Sequence, residues 1–191
     1  MEPIKNLNKI LAAVTFLYAF TIYIITMAPT TSFWDCGEFI ATSITLGVPH
    51  PPGTPFYLLL GNFFSQLPTY SDLGARVNLL SPLFSALAVM FLYLIIVQLI
   101  EAWRGKVKSW HDCLIAYGSA IIGAFTFAVT DSHWFNAVEA EVYSISTFFT
   151  SIVVWLILKW STNSGHPGIV RYVLIIAYMF GLAIGIQMLF W

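Results

Sequence analysis

The sequence predicts an all-α integral membrane protein with about five transmembrane helices and membrane-parallel helices in its first external loop. Three observations carry that expectation. Only 9% of the 191 residues are charged, while 59% are hydrophobic and 17% aromatic. The mean hydropathy is +0.81. The charges are also absent from several long stretches. Soluble domains carry roughly 25% charged residues, and seventeen charged side chains cannot coat a globule of this size, so the apolar surplus needs lipid. A net charge of -1 excludes a nucleic-acid binder, which would show a basic stripe. Two cysteines, Cys36 and Cys113, make no disulfide framework.

The stretches without Asp, Glu, Lys or Arg locate the spans. They are Ile10–Met27, Val77–Ile100, Cys113–Thr130, Val142–Leu158 and Tyr172–Trp191. Each is near the length a helix needs to cross ~30 Å of hydrocarbon. We read one transmembrane module over 1–191, with spans 10–28, 77–100, 113–130, 142–160 and 172–191. External loops take 29–76 and 131–141. Lys5 and Lys9 precede the first span as they would a signal peptide, but the apolar run is too long and no small-residue cleavage site follows. It reads as a retained anchor.

A sixth uncharged stretch, Phe39–Ser71, is interrupted by glycines and prolines, and its best helical part, Phe56–Leu67, suits an interfacial helix. Charge bias supports leaving it outside. With five spans and the N-terminus cytoplasmic, Lys5, Lys9, Arg104, Lys106, Lys108, Lys159 and Arg171 all fall inside, and only Arg76 lies outside. A sixth span would move five of these bases outward. The acids sort the other way: Asp35, Glu38, Asp72, Asp131, Glu139 and Glu141 lie in the two external loops. Any chemistry therefore faces the extracytoplasmic side.

In the first loop, Ser32 and Asp35 have the spacing of a capping box, which predicts a helix starting there. On it Asp35 and Glu38 share a face at i and i+3. Their repulsion would raise the pKa of at least one, as suits a general base. The plainer alternative is that Asp35 caps and Glu38 is solvated, against which stand the apolar neighbours Trp34, Cys36 and Phe39. The run Gly47-Val48-Pro49-His50-Pro51-Pro52-Gly53-Thr54-Pro55 fixes an extended backbone. It presents His50 either to a site shared with Asp35 and Glu38 or incidentally, on a stiff loop. Arg76 could grip a phosphate, snorkel to headgroups, or pair with Asp72.

In the second loop, Glu139 and Glu141 at i and i+2 point apart on a helix but together on an extended segment. Extended, they could hold a divalent cation, which prefers oxygen ligands, or a sugar. Carboxylates this close to a span are costly unless paired or facing a polar cavity. His133 lies in the same loop, and Trp134, Phe135 and Tyr143 either stack on a sugar or form an interfacial belt. Among polar residues within spans, Asn78, Gln98 and Gln187 predict interhelical hydrogen bonds, and Gly181 and Gly185 a close-packing spacing. His111 and His166 fall in short cytoplasmic turns and read as topology only.

Three segments in order carry a resemblance: Ser32-Phe33-Trp34-Asp35-Cys36-Gly37-Glu38-Phe39-Ile40-Ala41-Thr42, then His50-Pro51-Pro52-Gly53, then Ala137-Val138-Glu139-Ala140-Glu141-Val142-Tyr143-Ser144. Together they resemble the N-terminal region of the DUF2723 membrane-protein family, which includes bacterial proteins and animal protein O-mannosyltransferases of the TMEM260 type. The resemblance implies a GT-C glycosyltransferase fold and, for a bacterial member, the inner membrane. It implies transfer of a sugar, mannose among the candidates, from a polyprenyl-phosphate carrier to a protein or glycan hydroxyl. Asp35 would then be the catalytic base, with Glu38 second. Glu139 and Glu141 would orient donor or acceptor, with His133 and Tyr143 beside them. Arg76 and His50 are our own candidates for the carrier phosphate.

Family members are longer, so the chain reads as the first part of a catalytic module, inactive alone, whose partners would be the remaining spans or a membrane subunit. The alternative is a non-catalytic scaffold that packs with partner helices. A transporter is least favoured, because no span contains a buried Asp, Glu, Lys or Arg.

Overall fold

A computed structural model describes residues 2–51, 53–162 and 168–186, with side chains from residue 6 onward. Pro52, His166, Gln187 and the side chain of Lys5 therefore lie outside the described residues. Among the described residues there are helices and no strands. Their order is α1 (Glu2–Thr26), α2 (Cys36–Thr45), α3 (Pro55–Ser65), α4 (Leu73–Asn78), α5 (Leu80–Arg104) and α6 (Trp110–Cys113). A π-helical turn (Leu114–Gly118) joins α6 to α7 (Ser119–Ala128), and α8 (Asp131–Ala137), α9 (Val142–Thr162) and α10 (Ile169–Ile184) follow. The chain is an all-α membrane protein.

Four segments are long and apolar enough to cross a membrane: Asn6–Thr26, Leu73–Arg104, Trp110–Ala128 and Val142–Thr162. The fifth expected span is helical over Ile169–Ile184, a shorter run of 16 residues, and 187–191 lie beyond the described part. The helices overrun the uncharged windows for a simple reason. Charge does not end a helix, so α5 continues through Glu101–Arg104 and stops at Gly105, whose φ of 92° breaks the spiral.

Two cores hold the bundle. In the first, α1, α5 and α7 meet through Ala12, Ala19, Ala86, Ala120, Ala124 and Ala128, small side chains that let backbones approach. The Tyr23 hydroxyl crosses this contact and donates to the Ala128 carbonyl at 2.8 Å, satisfying a helix-end acceptor. The second core joins α2 and α3 to the start of α5, α9 and α10, around Phe39, Tyr57, Val77, Leu80, Ile145 and Ile186. Here the backbone N–H of Phe56 donates to the Gly185 carbonyl at 2.8 Å. A Cβ on Gly185 would lie 3.0 Å from that of Phe56, whereas one on Gly181 would meet open space. The expected glycine pair is thus not a helix–helix seam. Only Gly185 is a contact, and it receives α3.

Candidate functional site

The site is built at the end of the bundle where the short helices sit. Helix α2 turns Cys36, Phe39, Ile40 and Ser43 inward, at the i, i+3, i+4, i+7 spacing of one buried stripe. Asp35 is exposed just before it and Glu38 partly so on its first turn. The helix begins at Cys36, not near Ser32. Asp35 occupies the N-cap position without a side-chain capping bond, so the expected capping box does not form. The cause is Trp34, whose φ of 57° puts a left-handed turn between Ser32 and the helix.

Left-handed residues also bound the next segment. Leu46 (φ 52°) ends α2 and Thr54 (φ 38°) precedes α3, which Pro55 opens. The intervening loop brings His50 back onto Glu38. One carboxylate oxygen accepts the His50 backbone N–H at 2.7 Å, and the other meets its Nδ1 at 2.7 Å. These bonds pull Glu38 below the usual carboxylate range and lift His50 above its ordinary value. The expectation that repulsion from Asp35 would raise a carboxylate here fails at Glu38, because His50 holds both of its oxygens. The ligand atoms of Asp35, Glu38 and His50 lie within 4.8 Å of one another. Two carboxylates and an imidazole suit a divalent cation in kind, though binding one through Nδ1 would require Glu38 to release His50.

The second loop contributes from beneath. It is neither a continuous helix nor an extended segment: α8 ends at Ala137 and a bend leads into α9. The bend is pinned at three points. Ala28 N–H donates to the Val138 carbonyl at 2.8 Å, Ala140 N–H to Asn78 Oδ1 at 3.0 Å, and Glu141 N–H to Ser81 Oγ at 3.5 Å. Both acids are buried, Glu139 at 2% exposure and Glu141 at 6%. Burial, then Glu139, then Asp35 push the Glu141 carboxyl up to about 7. Glu141 in turn acts on Tyr57, whose buried hydroxyl is raised first by desolvation. The Tyr57 hydroxyl and Glu139 Oε1 have no hydrogen-bond partner among the described residues. The polar floor is left with unused bonding capacity.

The remaining candidates are engaged in other ways. Arg76 donates from Nε to the Tyr70 carbonyl at 2.6 Å and from Nη1 to that of Ser65 at 3.2 Å, tying down the 65–70 turn. Asp72 instead accepts from Ala75 N–H at 3.0 Å and from the Thr30 hydroxyl at 3.3 Å, so the i−4 ion pair does not form. His133 is buried between Tyr23 and Phe127, with ring centroids at 5.9 and 4.3 Å. Desolvation drops it to about 4, which leaves it neutral. Trp134 donates to the Thr26 hydroxyl at 3.1 Å, while Phe135 and Tyr143 stay about half exposed.

Sequence reasoning missed the organising role of Asn78. Its Nδ2 donates to the carbonyls of Ala28 and Thr30, both at 2.9 Å, while Oδ1 accepts Ala140 N–H and the Cys36 thiol at 3.7 Å. One amide thus ties α1's exit, α2 and the acidic bend to the end of α4, just before α5 begins. An uncharged polar residue at the lip of a long apolar run was the available signal.

A helical membrane bundle with acids from two loops gathered at one end defines a polytopic membrane protein with an acidic terminal site. Residues 35–191 match the model of the protein O-mannosyl-transferase TMEM260 N-terminal domain. The chain belongs to that family. It is 27% identical over 143 residues to the protein O-mannosyl-transferase tmem260 of Dictyostelium discoideum, covering 74% of this chain and 16% of that protein. It is 27% identical over 150 residues to the protein O-mannosyl-transferase TMEM260 of Mus musculus, covering 78% of this chain and 19% of that one. The chain thus spans less than a fifth of the length of these relatives. No solved structure matches it.

Proposed function

We propose that the chain forms the N-terminal part of a GT-C type glycosyltransferase that moves a sugar, in our reading mannose, from a polyprenyl-phosphate carrier to a protein or glycan hydroxyl. The acceptor oxygen bonds to the anomeric carbon, the bond from that carbon to the carrier phosphate breaks, and a carboxylate takes the hydroxyl proton. Asp35 is the base. One observation carries this choice over Glu38: Asp35 is exposed and its carboxylate makes no hydrogen bond among the described residues, whereas both Glu38 oxygens are held by His50. A lone pair already committed to a donor is a poor proton acceptor.

His50, lifted above its ordinary value by Glu38, offers a ring N–H donor to the carrier phosphate, and Glu139 and Glu141 offer acceptors and a donor to sugar hydroxyls. A divalent cation, if the reaction uses one, would sit among Asp35, Glu38 and His50 and polarise the phosphate. The relatives' names support the transferase reading, and the bias of Lys and Arg to the side opposite the two acidic loops supports an extracytoplasmic site with the N-terminus inside. The test is transfer from a mannosyl-phosphate lipid by the complete protein carrying Asp35→Asn or Glu38→Gln. Asp35→Asn should lower transfer by roughly 10²–10⁴-fold. Full activity in both variants would overturn the assignment.

A further inference from the structure

The opposite end of the bundle holds a cavity that the transfer reading does not use. Helices α1 and α9 both pack along α5, and between them lies a space of about 470 Å³. Its position along the helices is set by arithmetic. Gln98 and Glu101 are 18 and 21 residues beyond Leu80, so at 1.5 Å per residue they lie roughly 30 Å from the acidic site. That is one bilayer core away. Lys9, Arg104, Lys106, Lys108, Lys159 and Arg171 all belong to this end or its turns.

The cavity is amphipathic in the direction a lipid requires. Toward the helix middles its wall is Ala12, Ala13, Met90, Leu94 and Val97. Toward the basic end it is lined by Asn8, Lys9, Gln98, Glu101 and Lys159. Glu101 does not set the charge there, because Lys106 Nζ pairs with it at 3.0 Å. Lys9 is exposed, and the Lys159 ammonium lies 5.6 Å above the Trp155 ring. Among the described residues the charge balance of the mouth is positive, with Lys9, Lys106 and Lys159 against Glu101. Asn8 is fixed by the Tyr93 hydroxyl, which donates to its Oδ1 at 3.0 Å. Gln98 is the exception to the expected interhelical hydrogen bonds: both amide atoms are buried and neither has a partner among the described residues. A buried amide left unbonded is costly, so it marks a place where a ligand would supply the missing bonds.

We infer that this cavity seats the phosphate headgroup of an anionic membrane phospholipid, with Lys9, Lys159 and Gln98 at the phosphate and the acyl chains along Ala12, Met90 and Leu94. Exposed Ile10, Val14 and Leu17 on α1 continue the apolar path outward to bulk lipid. The inference is independent of the transfer reading, since none of its residues belongs to the acidic site.

Native mass spectrometry of the 191-residue chain in detergent tests it, with dioleoyl phosphatidylglycerol, dioleoyl phosphatidylcholine and inorganic phosphate as separate probes. Phosphatidylglycerol should bind one per chain and survive activation that strips phosphatidylcholine. Lys9→Gln/Lys159→Gln should weaken phosphatidylglycerol binding by roughly 30-fold, taking about 1 kcal/mol per lysine, and Lys108→Gln should leave it unchanged. Gln98→Leu, which keeps volume, should weaken it several-fold and serves as the readout if the double variant does not fold. Equal retention of the two lipids, no bound lipid, unaltered binding in the folded variants, or displacement by an equal concentration of inorganic phosphate would each overturn the inference.

Discussion

Asn78 Oδ1 accepts the backbone N–H of Ala140 at 3.0 Å across 62 positions of sequence, and the same side chain donates to Ala28 and Thr30. The residue is fully buried. Replacing it with Ala leaves the Ala140 N–H and two carbonyls without partners. Asn78→Ala should therefore destabilise the chain by roughly 2–4 kcal/mol. Thermal unfolding in detergent reads the loss, and an unchanged midpoint would show that water replaces the amide.

The Glu38–His50 pair makes the first loop sensitive to pH in two directions. His50 is raised, so its contribution is present below the ordinary imidazole value of 6.5 and is lost as pH climbs through the raised value. Glu38 is lowered, so its contribution is present above 4.5 and is lost as pH falls through the lowered value. The loop should be best held from mildly acidic to near-neutral pH. Imidazole NMR of His50 checks this, and Glu38→Gln should return its titration toward 6.5.

Glu141 works against stability as pH rises. Its carboxyl titrates near 7 in the folded chain and 4.5 when free, so the folded state holds the extra proton between those values. Stability from this group falls as pH rises from 4.5 through 7 and levels off above, by at most about 3 kcal/mol. Glu141→Gln should abolish that slope and leave the chain more stable than the parent at pH 8. Unfolding midpoints at pH 5 and 8 decide it.

Gly61 sets the spacing of α2 and α3. A Cβ there would press on the Ser43 hydroxyl and come within 2.8 Å of Ser43 Cβ. Gly61→Ala should cost about 1–3 kcal/mol and, by pushing α2 outward, disturb the histidine titration just described. Gly61→Ala with Ser43→Gly should recover most of both.

The long uncharged windows revealed the helices because lipid imposes its demand locally, residue by residue. The helix start at Cys36 escaped notice because Trp34 takes a left-handed turn that no spacing announces. The gathering of Asp35, Glu38 and His50 could be entertained from the proline-rich loop, but the two-point grip of Glu38 on His50 depends on where that loop folds back. Asn78 and Gln98 look alike in sequence, polar residues in apolar runs. One is saturated with partners and the other has none among the described residues. Nothing short of the packed bundle separates them.

The bond from Phe56 N–H to the Gly185 carbonyl has a bearing on synthesis. The segment bearing Asp35 and His50 emerges from the ribosome well before Gly185 does. Until α10 is inserted, α3 lacks the neighbour that receives its first turn. The first turn of α3, made early, waits for α10 before its leading N–H finds this partner.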